Sequence, residues 1–89
     1  MAWVGMNIAK CTHHSEELER QRVKLDKLLH LIDGEAGKIR GNWNGNDAQR
    51  FQSEWQSKHK HNVQQAISFV AKLKKQLDQE IAEQQRTSH

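Results

Sequence analysis

Proline and tyrosine are absent from the 89 residues, cysteine occurs once and glycine five times. Without proline, nothing in the chain is obliged to break a helix, and so few glycines argue against a turn-rich β-sandwich. A lone cysteine, Cys11, excludes a disulfide framework within the chain. No apolar run approaches the ~18 residues of a membrane span, and Met1-Ala2-Trp3-Val4-Gly5-Met6 lacks the cationic and apolar regions of a signal peptide. Apolar material is scarce as well: 35% of residues are hydrophobic, 6% aromatic and 28% charged. A chain this short buries only ~60% of the surface that its unfolded form exposes, so a large enzyme with a deep cleft is excluded and stability calls for regular helix packing plus a partner.

The net charge of +3 comes from 14 basic and 11 acidic residues, with seven Lys/Arg and six Asp/Glu before Gly45 and seven and five after it. Neither half is a basic arm. Lys58, Lys60, Lys72, Lys74 and Lys75 fall around much of a helix circumference, which argues for mixed solvated faces rather than for a nucleic-acid surface. The histidine pairs His13-His14 and His59-Lys60-His61 have the wrong spacing for a two-ligand helix face, so no metal site is expected, nor any other cofactor. His59 instead falls on an apolar row and His61 in solvent. Cys11 with His14 lacks an orienting third group and an oxyanion site, and no enzymatic activity is expected.

What is present is helical periodicity. Ile8, Cys11, Leu18, Leu25, Leu29, Ile32, Ala36, Ile39 and Trp43 recur at steps of three and four, interrupted at Ser15 and Arg22. This row predicts a helix over about 7–40, begun by Asn7 as N-cap and closed by Gly41 as a left-handed C-terminal residue. Gly34 and Gly37 lie inside it, where small residues admit close approach of another element or else mark a kink. The segment 41–46 gathers the turn formers. Asn46 and Gln49 have capping-box spacing and open a second helix over about 47–84, carrying Ala48, Phe51, Trp55, His59, Val63, Ala66, Val70, Leu73, Leu77 and Ile81, with a frayed tail at 85–89.

The expected fold is a single all-α domain over 1–89, an antiparallel helix-turn-helix hairpin. Each helix has more apolar residues than one seam absorbs: Val23, Leu28 and Leu31 lie beside the first row, and Phe69 beside the second. A stripe that wide stays wet in a lone hairpin, so two hairpins are expected to form a four-helix bundle centred on Leu18, Leu25, Leu29, Ile32, Val63, Ala66, Val70 and Leu73, with Leu28 and Phe69 at the interface.

The turn holds Trp43-Asn44-Gly45, followed by Asp47-Ala48, Phe51 and Trp55. In position and in the W-x-G-x-D-A-x-x-F-x-x-x-W run, this chain resembles the WXG family of short, early secretory antigen-like proteins, the substrates of bacterial type VII (ESX-type) secretion. The likeness extends over nearly the whole chain. It implies a hairpin that pairs with itself or with a related W-x-G hairpin and docks on the secretion ATPase through the turn and the C-terminal helix. It further implies release without a cleavable signal. One family feature is missing: many members carry, near the C-terminus, a tyrosine followed four positions later by an acidic residue. The Gln-rich end from Leu77 to Ser88 is similar instead to actinobacterial members. A partner-supplied signal, a divergent tail signal and a cytoplasmic adaptor that is never exported all remain open. By residue chemistry alone, Trp43, Phe51 and Trp55 close the core at the loop end, or Trp43 stays partly open with its N–H seeking an acceptor, and Gly45 lets the backbone pass close to the Trp43 ring.

Overall fold

A computed structural model describes residues 5–87 and is helical almost throughout. Helix α1 spans Ile8–Asn42, α2 spans Asn46–Glu54, a π-helical turn covers Trp55–His59, and α3 runs over Lys60–Thr87. The two arms lie antiparallel, joined only by Trp43, Asn44 and Gly45, as the periodicity predicts. The hairpin measures 66 × 19 × 17 Å, and its 19.8 Å radius of gyration compares with ~12 Å for a compact chain of this length. The expectations for the first four and the last two residues lie outside the described part.

Asn7 caps α1 as expected, its side-chain oxygen accepting from the Lys10 amide at 3.1 Å. Other termini differ from expectation. Gly41 is helical and does not close α1; the helix runs on to Asn42, whose side-chain amide donates to the Lys38 carbonyl at 2.9 Å, and Trp43 leaves in extended conformation. The capping box at Asn46 is not formed either. Gly45 is the N-cap, so Asn46 is already helical and no side chain caps the end. The fraying expected from residue 85 is not found at Gln85, Arg86 and Thr87, which remain helical. At Gly34 and Gly37 a Cβ would meet nothing within 4 Å, so neither admits a close neighbour, and α1 is continuous through both. The close approach is at Gly5, whose backbone lies against the Gln84 side chain.

The seam between the arms centres on Leu29, Ala36 and Trp55, with Val63 and Ile67 packed against them. Ala48 and Ile81 are buried toward its ends. Ser15, an interruption of the apolar row, is a buried seam residue: its hydroxyl donates to Asp78, which also takes an ion pair from Lys74 at 2.6 Å. Arg22, the other interruption, is half-buried and donates from Nε to Glu19 at 2.7 Å. Polar steps in the seam are thus filled by groups that find partners, as burial of polar atoms demands.

The second arm keeps Ala48, Trp55, Val63, Val70, Leu77 and Ile81 of the expected row buried or half-buried but departs from it at alternate steps. His59, Ala66 and Leu73 were expected on the seam but are exposed, while Lys60, Ile67 and Lys74 hold the inward places. The π turn is the cause. The Lys60 amide donates to the Trp55 carbonyl, five residues back instead of four, and one extra residue is absorbed without turning the rest of the arm. Ile32, assigned to the bundle centre, is 37% exposed. Leu18, Leu25, Val63 and Val70 are half-buried.

Most of the large apolar residues left outside the seam collect on one side, although Val23 falls on the other flank and Leu31 points away from the seam. With ~100° per residue, Leu28, Ile32 and Ile39 of α1 and Phe69 and Leu73 of α3 project to the same flank of the antiparallel pair. Leu18 lines a shallow groove with Leu73 and Leu77 on this flank. The opposite flank is polar, with Asp26, His30 and Asp33 facing Lys60, Gln64 and Ser68.

Candidate functional site

The loop end of the hairpin contains two aromatic arrangements with different tasks. Trp55 opens the π turn and points into the seam at 9% exposure. A buried indole N–H needs an acceptor, and Asp33 of α1 supplies it: Trp55 Nε1 donates to Asp33 Oδ1 at 2.8 Å. The same oxygen accepts from the Gln56 side chain at 3.3 Å, and Oδ2 takes Lys60 Nζ at 3.2 Å. One carboxylate therefore ties α1 to both ends of the π turn. The Trp55 hydrogen bond, and then Lys60, hold the Asp33 carboxyl below its ordinary range. Its contribution to the fold is accordingly complete above the ordinary aspartate pKa and disappears only as pH falls through the lowered value. Asp78, held down by Lys74 and then by Ser15, behaves in the same sense at the far end of the seam.

Trp43, Asn44 and Gly45 form the tip, and all three are exposed. Trp43 is extended, with φ −140° and ψ 119°, and its ring rests tilted on Phe51, centroids 6.0 Å apart. At 42% and 39% exposure this pair is half open to solvent. Gly45 has φ 111° and ψ 179°, a region in effect reserved for glycine, and is the sole positive-φ residue among those described. Asp47 follows in the first turn of α2, where a carboxylate suits the positive helix end, and pairs with Arg50 at 2.7 Å. Beneath the tip, Ala48 is 3% exposed, and the Gln52 side-chain oxygen is buried without a partner.

Residue chemistry leaves two places for Trp43, beside Phe51 and Trp55 in closing the core or partly open at the tip. The three rings separate: Trp55 closes the core, whereas Trp43 and Phe51 form an outer pair. Of the expected interface residues, Leu28, Ile32, Ala66, Phe69 and Leu73 are on the exposed flank, Leu29 is buried in the hairpin's own seam, and Leu18, Leu25, Val63 and Val70 are intermediate. Apolar periodicity does not single out Asp33 or Lys60. The available signal was the indole on an apolar row, which requires a carboxylate or carbonyl on the facing helix.

Among the described residues no group of three or more His, Cys, Asp or Glu is arranged to hold a metal ion. No helix there is long and apolar enough to cross a membrane. Comparison with protein-family models, curated proteins and solved structures finds no match.

The Gly45 geometry carries a prediction. Because a Cβ there would touch nothing within 4 Å, the cost of Gly45→Ala is confined to the backbone. A residue forced into this region costs ~1–3 kcal/mol, and urea unfolding of the variant should show a loss in that range. A loss below ~0.5 kcal/mol, the usual scatter of surface substitutions, would mean that the tip does not need its positive φ.

Proposed function

We propose that this chain is a small non-enzymatic hairpin protein of a type VII (ESX-type) secretion system. In this reading it pairs with itself or with a related W-x-G hairpin, is exported without a cleavable signal, and is recognised by the secretion ATPase through the Trp43-Asn44-Gly45 tip and the C-terminal helix. The observation that carries the reading is the division of labour among the aromatics. Trp55 already closes the core, leaving an indole and a phenyl ring displayed on a glycine-dependent tip with no comparable structural duty. Tryptophan is among the residues in which binding hot spots are enriched.

The paired state draws support from surface area. The hairpin exposes 6987 Å², against ~5400 Å² for a compact monomer of its mass by the usual scaling. The excess, about 1600 Å² per chain, is roughly twice what one standard interface removes from each partner, ~800 Å².

Fractionation tests the reading. In a bacterium with a working type VII ATPase, the chain is expected in the culture filtrate, together with its partner if the pair is mixed, and absent from the filtrate when the ATPase is inactivated. Retention in cells in both cases, with candidate partners co-expressed, would overturn export and leave a cytoplasmic adaptor of the secretion locus.

A further inference from the structure

The second arm contains two apolar rows one residue apart. Val63, Ile67 and Ile81 occupy the seam, together with the stems of Lys60 and Lys74. Ala66, Phe69 and Leu73 form the neighbouring row on the exposed flank. Continued as a regular α-helix from Trp55, the arm would turn its next faces inward at His59, Ala66 and Leu73, because four, eleven and eighteen residues are whole numbers of turns to within about 40°. The sequence is therefore compatible with two registers, and the π turn decides between them.

Asp33 is the group placed to hold that turn. Its two oxygens take Trp55 and Gln56 at the start and Lys60 just beyond the end. In a regular α-helix, residues five apart point about 140° away from each other. Only the wider turn brings Trp55 and Lys60 to one carboxylate. At the far end, Asp78 with Ser15 and Lys74 fits the same register, in which Lys74 and not Leu73 is half-buried.

We propose that Asp33 is a register lock: by gripping both ends of the π turn it keeps Ala66, Phe69 and Leu73 displayed, and its removal lets the turn tighten and α3 rotate until Ala66 and Leu73 replace Ile67 and Lys74 in the seam. The α3 part of the apolar flank is then a property that the fold can present or withdraw through one carboxylate. This holds whether or not the chain is exported.

Thiol protection reads the register directly. In a Cys11→Ser background of the full chain, Ala66→Cys and Ile67→Cys are made separately and their maleimide reaction rates measured. With Asp33 present, the thiol at position 66 should react at least about tenfold faster than that at 67. Adding Asp33→Asn should reverse the order. An unchanged order at undiminished helicity would overturn the lock. Deleting Ser57 supplies the second arm of the test, since it removes the residue that the π turn absorbs and fixes the present register in a regular helix. With Ser57 deleted, Asp33→Asn should leave position 66 the faster one. If Asp33→Asn alone loses helicity, the deletion should restore both helicity and that order. Failure of the deletion to preserve the order, or to rescue the fold, would equally overturn the proposal.

Discussion

Trp55→Ala should bring the hairpin to the edge of unfolding. Truncation of a buried tryptophan costs ~3–5 kcal/mol, and a chain of this length has a total stability of ~4–13 kcal/mol. Trp55 is one of five buried hydrophobic residues among those described, and it forms the central cluster with Leu29 and Ala36 of the first arm. Its removal opens a cavity that two long helices cannot close without shortening their separation along most of their length. It also strips Asp33 of its shortest hydrogen bond. Trp55→Phe separates the two losses: the ring still fills most of the space while the N–H is gone, so the loss should be clearly smaller than for alanine. Urea unfolding followed by circular dichroism measures both. A loss below ~1 kcal/mol for Trp55→Ala would mean that Trp55 is not what joins the arms at the loop end.

The second large effect concerns assembly. Leu28 and Phe69 are 50% and 61% exposed on the apolar flank. In a solitary hairpin, Leu28→Gln with Phe69→Gln should scarcely alter stability, because exposed substitutions usually stay within ~0.5 kcal/mol. If the flank is covered by a second hairpin, the same pair places two amides in an apolar interface, at ~1–3 kcal/mol each by mutational measure. Light scattering should then show the native protein with two chains per particle, either alone or once mixed with a related hairpin, and the double variant at the 10.4 kDa of a single chain. A native chain that scatters as a single copy, with full helicity independent of concentration and no change on mixing, would contradict both forms of pairing.

Much of this architecture is legible in the sequence because its signals are local. Steps of three and four mark both arms, the cluster of asparagine and glycine marks the reversal, and Asn7 marks the first cap. The π turn escaped the same reasoning, although its trace is present: Phe51, Trp55, His59 and Val63 advance by four three times running, a drift of about 120° that no straight helix keeps on one face. The exchange of Ala66 and Leu73 for Ile67 and Lys74 follows from that drift. Ser15 and Arg22 read as interruptions because periodicity registers apolar residues alone, whereas the seam accepts any group whose polar atoms are satisfied. Asp33 was invisible for a different reason. Its partners are 22 to 27 residues away in the chain, and only the register of the closed hairpin brings them together. At the tip, the cluster of asparagine and glycine marks the turn, but the division between a buried Trp55 and an open Trp43 depends on which face α2 presents to α1 in the closed hairpin.

The proposed role of the tip rests on Trp43 serving recognition more than folding, and one comparison addresses it. Trp43→Ala removes a half-exposed ring whose packing partner is Phe51, a pairing worth ~0.5–1.5 kcal/mol beyond its area. The variant should keep its helicity and its assembly state. Its amount in the culture filtrate, divided by the amount in cells, should fall at least about tenfold against the native chain in the same strain. Undiminished export of a folded Trp43→Ala chain would contradict the account, and so would a variant that fails to fold at all.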